Sequence, residues 1–146
     1  MVNVRKRKGN RSRGAAAVEA ALVLPILLLV TFGAIKYGWL FLRAQQITNA
    51  ARYGARVAIR ADASSTDVTT AIANLMTAAG MGDSLYNVTI TLEGGIVWDG
   101  SQEVGVGAPV TVKLTVPSAN IDIMDVPLFP DVGDIGASVT MAKEGF

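Results

Sequence analysis

Ala20-Ala-Leu-Val-Leu-Pro-Ile-Leu-Leu-Leu-Val-Thr-Phe-Gly-Ala-Ile35 runs for 16 residues without a charge. As a helix it covers about 24 Å, short of the ~30 Å hydrocarbon core of a bilayer. The apolar character resumes after Lys36 in Tyr37-Gly-Trp-Leu-Phe-Leu42. If Lys36 snorkels along the helix flank, residues 20–42 reach about 35 Å and cross. Tyr37, Trp39 and Phe41 then fall at the outer interface, where aromatic rings anchor a span. Five of the nine aromatic residues lie between Phe32 and Tyr53, so this belt is a concentrated feature.

Upstream, residues 1–14 hold Arg5, Lys6, Arg7, Lys8, Arg11 and Arg13 with no acid. Such a segment has no apolar face to bury and is expected to be disordered. A basic arm can bind nucleic acid. Set directly against an apolar run, it reads instead as the flank that holds this end in the cytoplasm, with membrane lipid as its neighbour and no nucleic-acid partner. Downstream, residues 43–60 are rich in Ala and Arg and lack proline, so one helix is expected over residues 15–60, about 70 Å long. On its outer half Ile47, Ala51, Gly54 and Ala58 form a small-residue stripe. Arg52, Arg56 and Arg60 recur on another face, either solvated or paired with a neighbour's acids or headgroups.

Ser64-Ser-Thr-Asp67 supplies caps for a second helix. Val68, Ala71, Ile72, Leu75, Met76 and Ala79 follow at helical spacing, and Gly80 ends it. The period then becomes two: Val88, Ile90 and Leu92 alternate with polar residues, as do Val110, Val112, Leu114 and Val116. Residues 96–98, 119–124 and 138–142 are weaker strand candidates. The expected fold is α+β: a long amino-terminal transmembrane helix continuing into a small domain with a short helix and an antiparallel sheet. Its parts are a basic leader over 1–14, the long helix over 15–60 and an extracytoplasmic domain over 61–146.

The formal charge of +1 hides a strong asymmetry. Residues 1–60 hold 11 Lys/Arg against Glu19 alone, and residues 61–146 hold two Lys against 11 Asp/Glu. Cysteine and histidine are absent. That excludes disulfides, thiol catalysis and the common zinc sites, and removes the side chain that titrates near neutrality. No phosphate-binding glycine loop or nucleophile motif is present. Asp122, Asp125, Asp131 and Asp134 lack the spacing of a calcium loop. The reading is a non-enzymatic protein without a cofactor or metal.

A cleavable secretory signal has small residues after its apolar stretch. Here they stand before it, in Gly14-Ala-Ala-Ala-Val-Glu-Ala20, and a continuing helix follows. This arrangement resembles the type IV pilin class, and within it the TadE-like minor pseudopilins of the tight-adherence (Flp, type IVb) system. The resemblance covers Gly14-Ala-Ala-Ala-Val-Glu-Ala-Ala-Leu-Val-Leu-Pro-Ile-Leu-Leu-Leu29, Phe32-Gly33, Tyr37-Gly38 and Asn49-Ala-Ala-Arg-Tyr-Gly-Ala-Arg56. It returns at Ala137-Ser-Val-Thr-Met-Ala-Lys-Glu144, similar to the family's closing strand.

The resemblance implies cleavage between Gly14 and Ala15 by a prepilin peptidase, which makes Glu19 the fifth mature residue. Glu19 would then pair with the freed amino group of Ala15 on its own or a neighbouring chain. Read from the residues alone, the alternatives are that Gly14 is a hinge between arm and helix and Glu19 a favourable first-turn acid at headgroup level. Pro25 removes a helix hydrogen bond and should bend the helix. Ala34, Gly38 and Gly54 are small-residue steps for close helix packing, the alternative being packing against the protein's own sheet, which suits the outer set with Gly54 better.

The family further implies assembly with other pilin-like subunits on the inner-membrane platform of a Tad-type machine. It implies a bacterial inner-membrane location, single-pass, with the amino terminus cytoplasmic and the domain periplasmic or extracellular. The competing reading is a signal-anchored periplasmic binding or enzymatic domain for which the helix is only a tether.

Overall fold

A computed structural model of the chain describes residues 11–121 and 133–145. Helix α1 spans Arg11–Ala58 and α2 spans Ser65–Ala78, followed by strands β1 (Asn87–Thr91), β2 (Pro109–Val116) and β3 (Ile135–Ala142). The long helix followed by a small α+β domain is the architecture expected. Two compact units divide between Tyr37 and Gly38.

In the first unit α1 is a helix without a core. The large apolar side chains from Val18 to Ile35 are exposed, Leu22 by 69% and Ile26 by 67%. The helix starts at Arg11, so residues 11–14, expected to be disordered, are helical. Nothing in Arg-Ser-Arg-Gly forbids it, because the largest propensity penalty, at Gly14, is only about 1 kcal/mol. The remainder of the basic arm lies outside the described residues. The helix passes through Pro25 as one element, although the proline ring deprives the Ala21 carbonyl of its usual donor. Lys36 departs from expectation. Instead of snorkelling it is buried, with 1% exposure, and no buried side-chain nitrogen or oxygen among the described residues lacks a hydrogen-bond partner. A buried ammonium with a hydrogen-bond partner has no need to stretch to water.

In the second unit the outer part of α1 becomes a core element. Ile47, Ala50, Ala51, Ala55 and Ala58 join Val68, Ile72 and Met76 of α2 and Val110, Val112, Leu114 and Val116 of β2 in one buried cluster. The small side chains on α1 let its backbone come close. At Gly54 a Cβ would stand 2.6 Å from Ile72 Cδ1, 2.7 Å from Ile72 Cγ1 and 3.6 Å from Val112 Cγ1. A glycine is required there by space.

The caps of α2 are as expected. Asp67 N–H donates to the Ser64 hydroxyl and Ser64 N–H donates to the Asp67 carboxylate at 2.9 Å, a reciprocal capping box. Gly80 ends the helix at φ +75°. Of the predicted apolar face Val68, Ile72 and Met76 are fully buried, while Leu75 is 39% exposed.

The sheet is an antiparallel meander in the order β1-β2-β3. β2 sits centrally and pairs over its whole length with β3, from Pro109 opposite Ala142 to Val116 opposite Ile135. Its alternate residues explain the burial: Val110, Val112, Leu114 and Val116 face the helices and Lys113 faces water. On the open face the Thr111 and Thr140 hydroxyls meet at 2.8 Å.

Two of the weaker strand candidates differ. Residues 96–98 make only a bridge, with Val97 opposite Thr91. Gly94 and Gly95 at φ +77° and +79° turn the chain too tightly for a longer ladder. The described part of 119–124 is not a strand: Ser118–Asn120 is a 3-10 turn, started by Pro117, which bends the chain out of the sheet. Residues 122–124 lie outside the described residues.

The packing at Gly54 gives the first prediction. Gly54→Ala drives a methyl into Ile72 and destabilises the protein by about 1–2 kcal/mol. In an Ile72→Ala background the same change becomes neutral or stabilising by up to about 1 kcal/mol, because alanine is the better helix former. Denaturant unfolding of the four variants in detergent micelles, followed by tryptophan fluorescence, measures the coupling; an equal effect in both backgrounds would remove the packing account.

Candidate assembly segment and its support

α1 presents the candidate residues in two different settings. Gly14, Ala15 and Glu19 are exposed. A Cβ added at Gly14 would meet nothing within 4 Å. Ala15 and Glu19 are one turn apart, so the carboxylate stands on the side of the helix from which the Ala15 nitrogen emerges, about 6 Å along the axis. Ala34 is exposed, as is Gly38, where an added Cβ would again meet nothing within 4 Å. Gly54, by contrast, is enclosed by Ile72 and Val112 of its own domain. The open small residues and the closed one therefore serve different contacts.

Trp39 leaves the aromatic belt proposed for it. Its indole N–H donates to the Ile121 carbonyl at 2.9 Å, and the Arg43 guanidinium lies 4.3 Å from its ring centre. Tyr37 and Phe41 remain exposed, by 46% and 68%. Arg43 in turn donates to the Ala79 carbonyl at the end of α2 and to Gln46 Oε1 at 3.0 Å. A cation there complements the negative end of the helix dipole.

The end of α1 is closed the same way from the far end of the chain. Lys143, only 7% exposed, donates to the Ala58 carbonyl at 3.2 Å and to the Arg60 carbonyl, and its ammonium lies 5.5 Å from the Trp98 ring centre. Glu144 N–H donates to the Ile59 carbonyl at 2.8 Å. Burial lowers the Lys143 pKa from its ordinary value.

Sequence reasoning missed both caps because each joins residues far apart in the chain. One signal was present: Lys143 is one of only two lysines among residues 61–146. Arg52, Arg56 and Arg60 are exposed, and Arg60 reaches Asp62 at 3.4 Å. Such a pair contributes little.

Open clefts flank α2. One of about 380 Å3 is lined by Thr69, Thr70, Ala73, Asp83, Tyr86 and Val88. Its polar pair is the Tyr86 hydroxyl donating to Asp83 at 2.9 Å. Burial, then the bond to Asp83, pushes the phenol up to about 12. Among the described residues no group of three acidic, histidine or cysteine side chains is placed to hold a metal ion. Asp134 instead accepts from Ser118 N–H at 3.2 Å, and Asp122, Asp125 and Asp131 lie outside the described residues.

The segment in which the open glycine, the acid and the apolar helix fall is the one that known proteins share. Residues 14–56 match the family model of TadE-like proteins. Over those residues the chain is similar to TadE-like proteins. The match opens on Gly14 and closes on Arg56, so it takes in both the open apolar part of α1 and most of the buried stripe. No curated protein and no solved structure matches the chain. The helix over Gly14–Ala58 contains an 18-residue window of mean hydropathy 2.4 that is 6% buried. This helix is long and apolar enough to anchor the chain in a membrane.

Two predictions follow from the supports of this segment. Lys143→Met leaves the α1 carbonyls without their cation and destabilises the domain by about 1–3 kcal/mol. Hydrogen exchange then shows the Glu144 amide losing its protection; retained protection with unchanged stability would mean that water caps α1 equally well. For Tyr86 the folded pKa lies above the unfolded value near 10, so the folded state keeps its proton longer. This contribution to stability is complete below pH 10 and is lost as pH rises toward 12. In unfolding measured across that window, Tyr86→Phe has a flatter decline than the wild type.

Proposed function

We propose that this chain is a minor pseudopilin, a structural subunit that takes part in assembling a type IVb (Flp/Tad) pilus or a related secretion or adhesion apparatus. The observation that carries the reading is the TadE-like match over residues 14–56, which begins on the glycine that precedes Ala15 and Glu19. The role is structural and not catalytic.

The chain enters the inner membrane with its basic end cytoplasmic, because positive flanks resist translocation. Prepilin peptidase cuts after Gly14, whose surroundings are open. Removing residues 1–14 takes away six basic side chains and leaves a mature side-chain charge of −5. The freed Ala15 ammonium then lies one turn from Glu19, and the pair neutralises a carboxylate that would cost about 2.5–3.5 kcal/mol near the bilayer centre. The apolar flank of α1, satisfied by lipid in the membrane pool, exchanges that lipid for the helices of other pilin-like subunits at the assembly platform. Ala34 and Gly38 supply places of close approach. The domain sits on the periplasmic or extracellular side.

A passive tether would leave its domain whole when removed. Here a cut at residue 60 would strip Ile47, Ala51, Ala55 and Ala58 from the core, which supports the reading of α1 as part of the working unit.

Co-expression with a prepilin peptidase and intact-mass measurement of the membrane-extracted protein tests the proposal. The expected species begins at Ala15 in the wild type, and Gly14→Ala retains the leader. Glu19→Ala is still trimmed yet is absent from purified filaments or assembly complexes. A wild-type chain that keeps residues 1–14 beside an active peptidase sinks the processing claim, and function supplied in trans by residues 61–146 alone sinks the pseudopilin reading.

A further inference from the structure

Among the described residues the sheet ends at β3. Its eight residues pair on one side with β2 without a bulge, and the order β1-β2-β3 leaves the other side open over about 27 Å. One bond fixes which main-chain groups are left over. Lys143 N–H donates to the Ala108 carbonyl at 2.9 Å, one step beyond the pair Pro109 and Ala142. Bonded and non-bonded pairs alternate along an antiparallel ladder, so Met141, Val139, Ala137 and Ile135 bond to β2, and Pro109, which has no N–H, falls at a non-bonded pair. The N–H and C=O groups of Gly136, Ser138, Thr140 and Ala142 therefore point outward. None of them has a main-chain partner among the described residues. The opposite edge is treated differently: Trp98 N–H donates to the Ile90 carbonyl and Leu92 N–H to the Ile96 carbonyl, both at 2.8 Å, so the chain folds back over the end of β1.

The apolar layer also stops short at β3. Val110, Val112, Leu114 and Val116 of β2 are fully buried, whereas Met141, Val139, Ala137 and Ile135 opposite them are only partly so. Ile135–Ala142 holds no charge and no proline, two of the devices that blunt an exposed edge. Acids stand just beyond both ends instead, Asp134 and Glu144, each exposed. Outward main-chain groups call for a strand, half-buried apolar side chains for apolar neighbours on the helix side, and the flanking acids for cations.

A second copy of β3 does not meet these requirements. Laid antiparallel in the register of fullest overlap, centred on Val139, two such strands bring Asp134 of each opposite Glu144 of the other, and like charges facing across strands repel. Laid parallel about a two-fold along the strands, they join the helix side of one sheet to the open side of the other. We propose that the β3 edge receives a strand from a different polypeptide, uncharged over its centre, with alternate apolar residues toward the helix layer and Lys or Arg beyond its ends. That this polypeptide is another subunit of the assembly rests on the pseudopilin reading; the chemistry of the edge does not.

The test uses the full chain in detergent micelles, with hydrogen exchange read residue by residue. In the chain alone the Ser138 and Thr140 amides exchange about tenfold or more faster than those of Val139 and Met141. The probe is the peptide Lys-Val-Thr-Val-Thr-Val-Thr-Val-Lys, labelled with fluorescein at its amino end and amidated at the other. Its binding, followed by anisotropy, slows exchange at Ser138 and Thr140 by about tenfold or more and leaves Val139 and Met141 unchanged. The same peptide with Glu at both ends binds several-fold more weakly. Ser138→Pro removes one outward donor without touching the ladder to β2 and weakens binding by about tenfold, while retained protection of the Met141 amide shows that the variant is folded. Glu144→Lys, at an exposed side chain, removes the preference between the two peptides. In purified assembly complexes the Ser138 and Thr140 amides are protected as they are by the peptide. Equal binding of the two peptides to the wild type, no added protection from the peptide or in the complexes, or self-association in sedimentation that Ser138→Pro abolishes would overturn the inference, the last by placing a second copy at the edge. Leader removal is scored on the same proteins: a chain that is trimmed but takes no strand fails this inference alone, and one that takes the strand but is not trimmed fails the processing claim alone.

Discussion

The close approach of α1 to α2 and β2 at Gly54 is the constraint on which the domain depends. A helix can pack at such short range only where its side chains vanish, and Ala50, Ala51, Gly54, Ala55 and Ala58 make that happen over more than two turns. The volume they give up is filled from the other side by Ile72, Met76 and the branched residues of β2. The small residues of one element and the bulky residues of the others are a single fitted set, so the identity of each is legible only from its partner. This also explains why the domain has no core of its own without α1.

The second organising device is the closure of both helix ends by distant cations. Each uses a cation against a tryptophan: Arg43 with Trp39 at the end of α2, and Lys143 with Trp98 at the end of α1. Each indole donates its own N–H to a carbonyl, of Ile121 at 2.9 Å and of Gln102 at 3.3 Å. The tryptophan thus fixes the cation, and the cation satisfies carbonyls that a helix leaves open. Lys143 reaches across 85 positions to Ala58. The last strand is consequently tied to α1 as well as to β2, and the sheet edge farthest from β1 cannot peel without uncapping the helix.

These two devices mark where the sequence could and could not be read. Local chemistry was legible: Ser64 and Asp67 announced the capping box, Gly80 the stop of α2, and the alternation of Val110 to Val116 the central strand. The small stripe of α1 was legible as a packing face, because its period is helical and its polar opposite carries the arginines. What failed to show was everything that needs a third dimension. Trp39 has the composition and position of a belt residue, and only Ile121, 82 residues on, reveals that it is committed to the domain. Lys36 looks like a snorkelling lysine until its burial is seen. Residues 96–98 have strand-like side chains, yet two glycines with positive φ leave room for a single bridge. At the candidate segment the resemblance to TadE-like proteins was readable from pattern, as was the packing of the outer small residues, Gly54 among them, against the protein's own sheet, whereas the open space around Gly14 was not.

The charge distribution completes the physical argument for how such a subunit meets its neighbours. In the precursor a basic leader offsets an acidic domain, and the balance near zero has no bearing on contacts between domains. With residues 1–14 removed, as proposed, the remainder is acidic by five, and like-charged domains repel within a Debye length of about 8 Å at physiological ionic strength. Net attraction then has to come from local complementarity. The arginines beyond residue 14 stand at 43, 52, 56 and 60, on α1 and just after it; Arg43 caps α2 and Arg60 pairs with Asp62. Arg52 and Arg56 remain as exposed cations on a mostly acidic domain, and a contact that presents acids to them is attractive where the net charge is not. The apolar helix supplies no such discrimination, since lipid and any apolar helix satisfy it alike. For the proposed subunit, orientation between neighbours therefore has to come from the domain surface and its charges, since the apolar helix favours only association within the membrane.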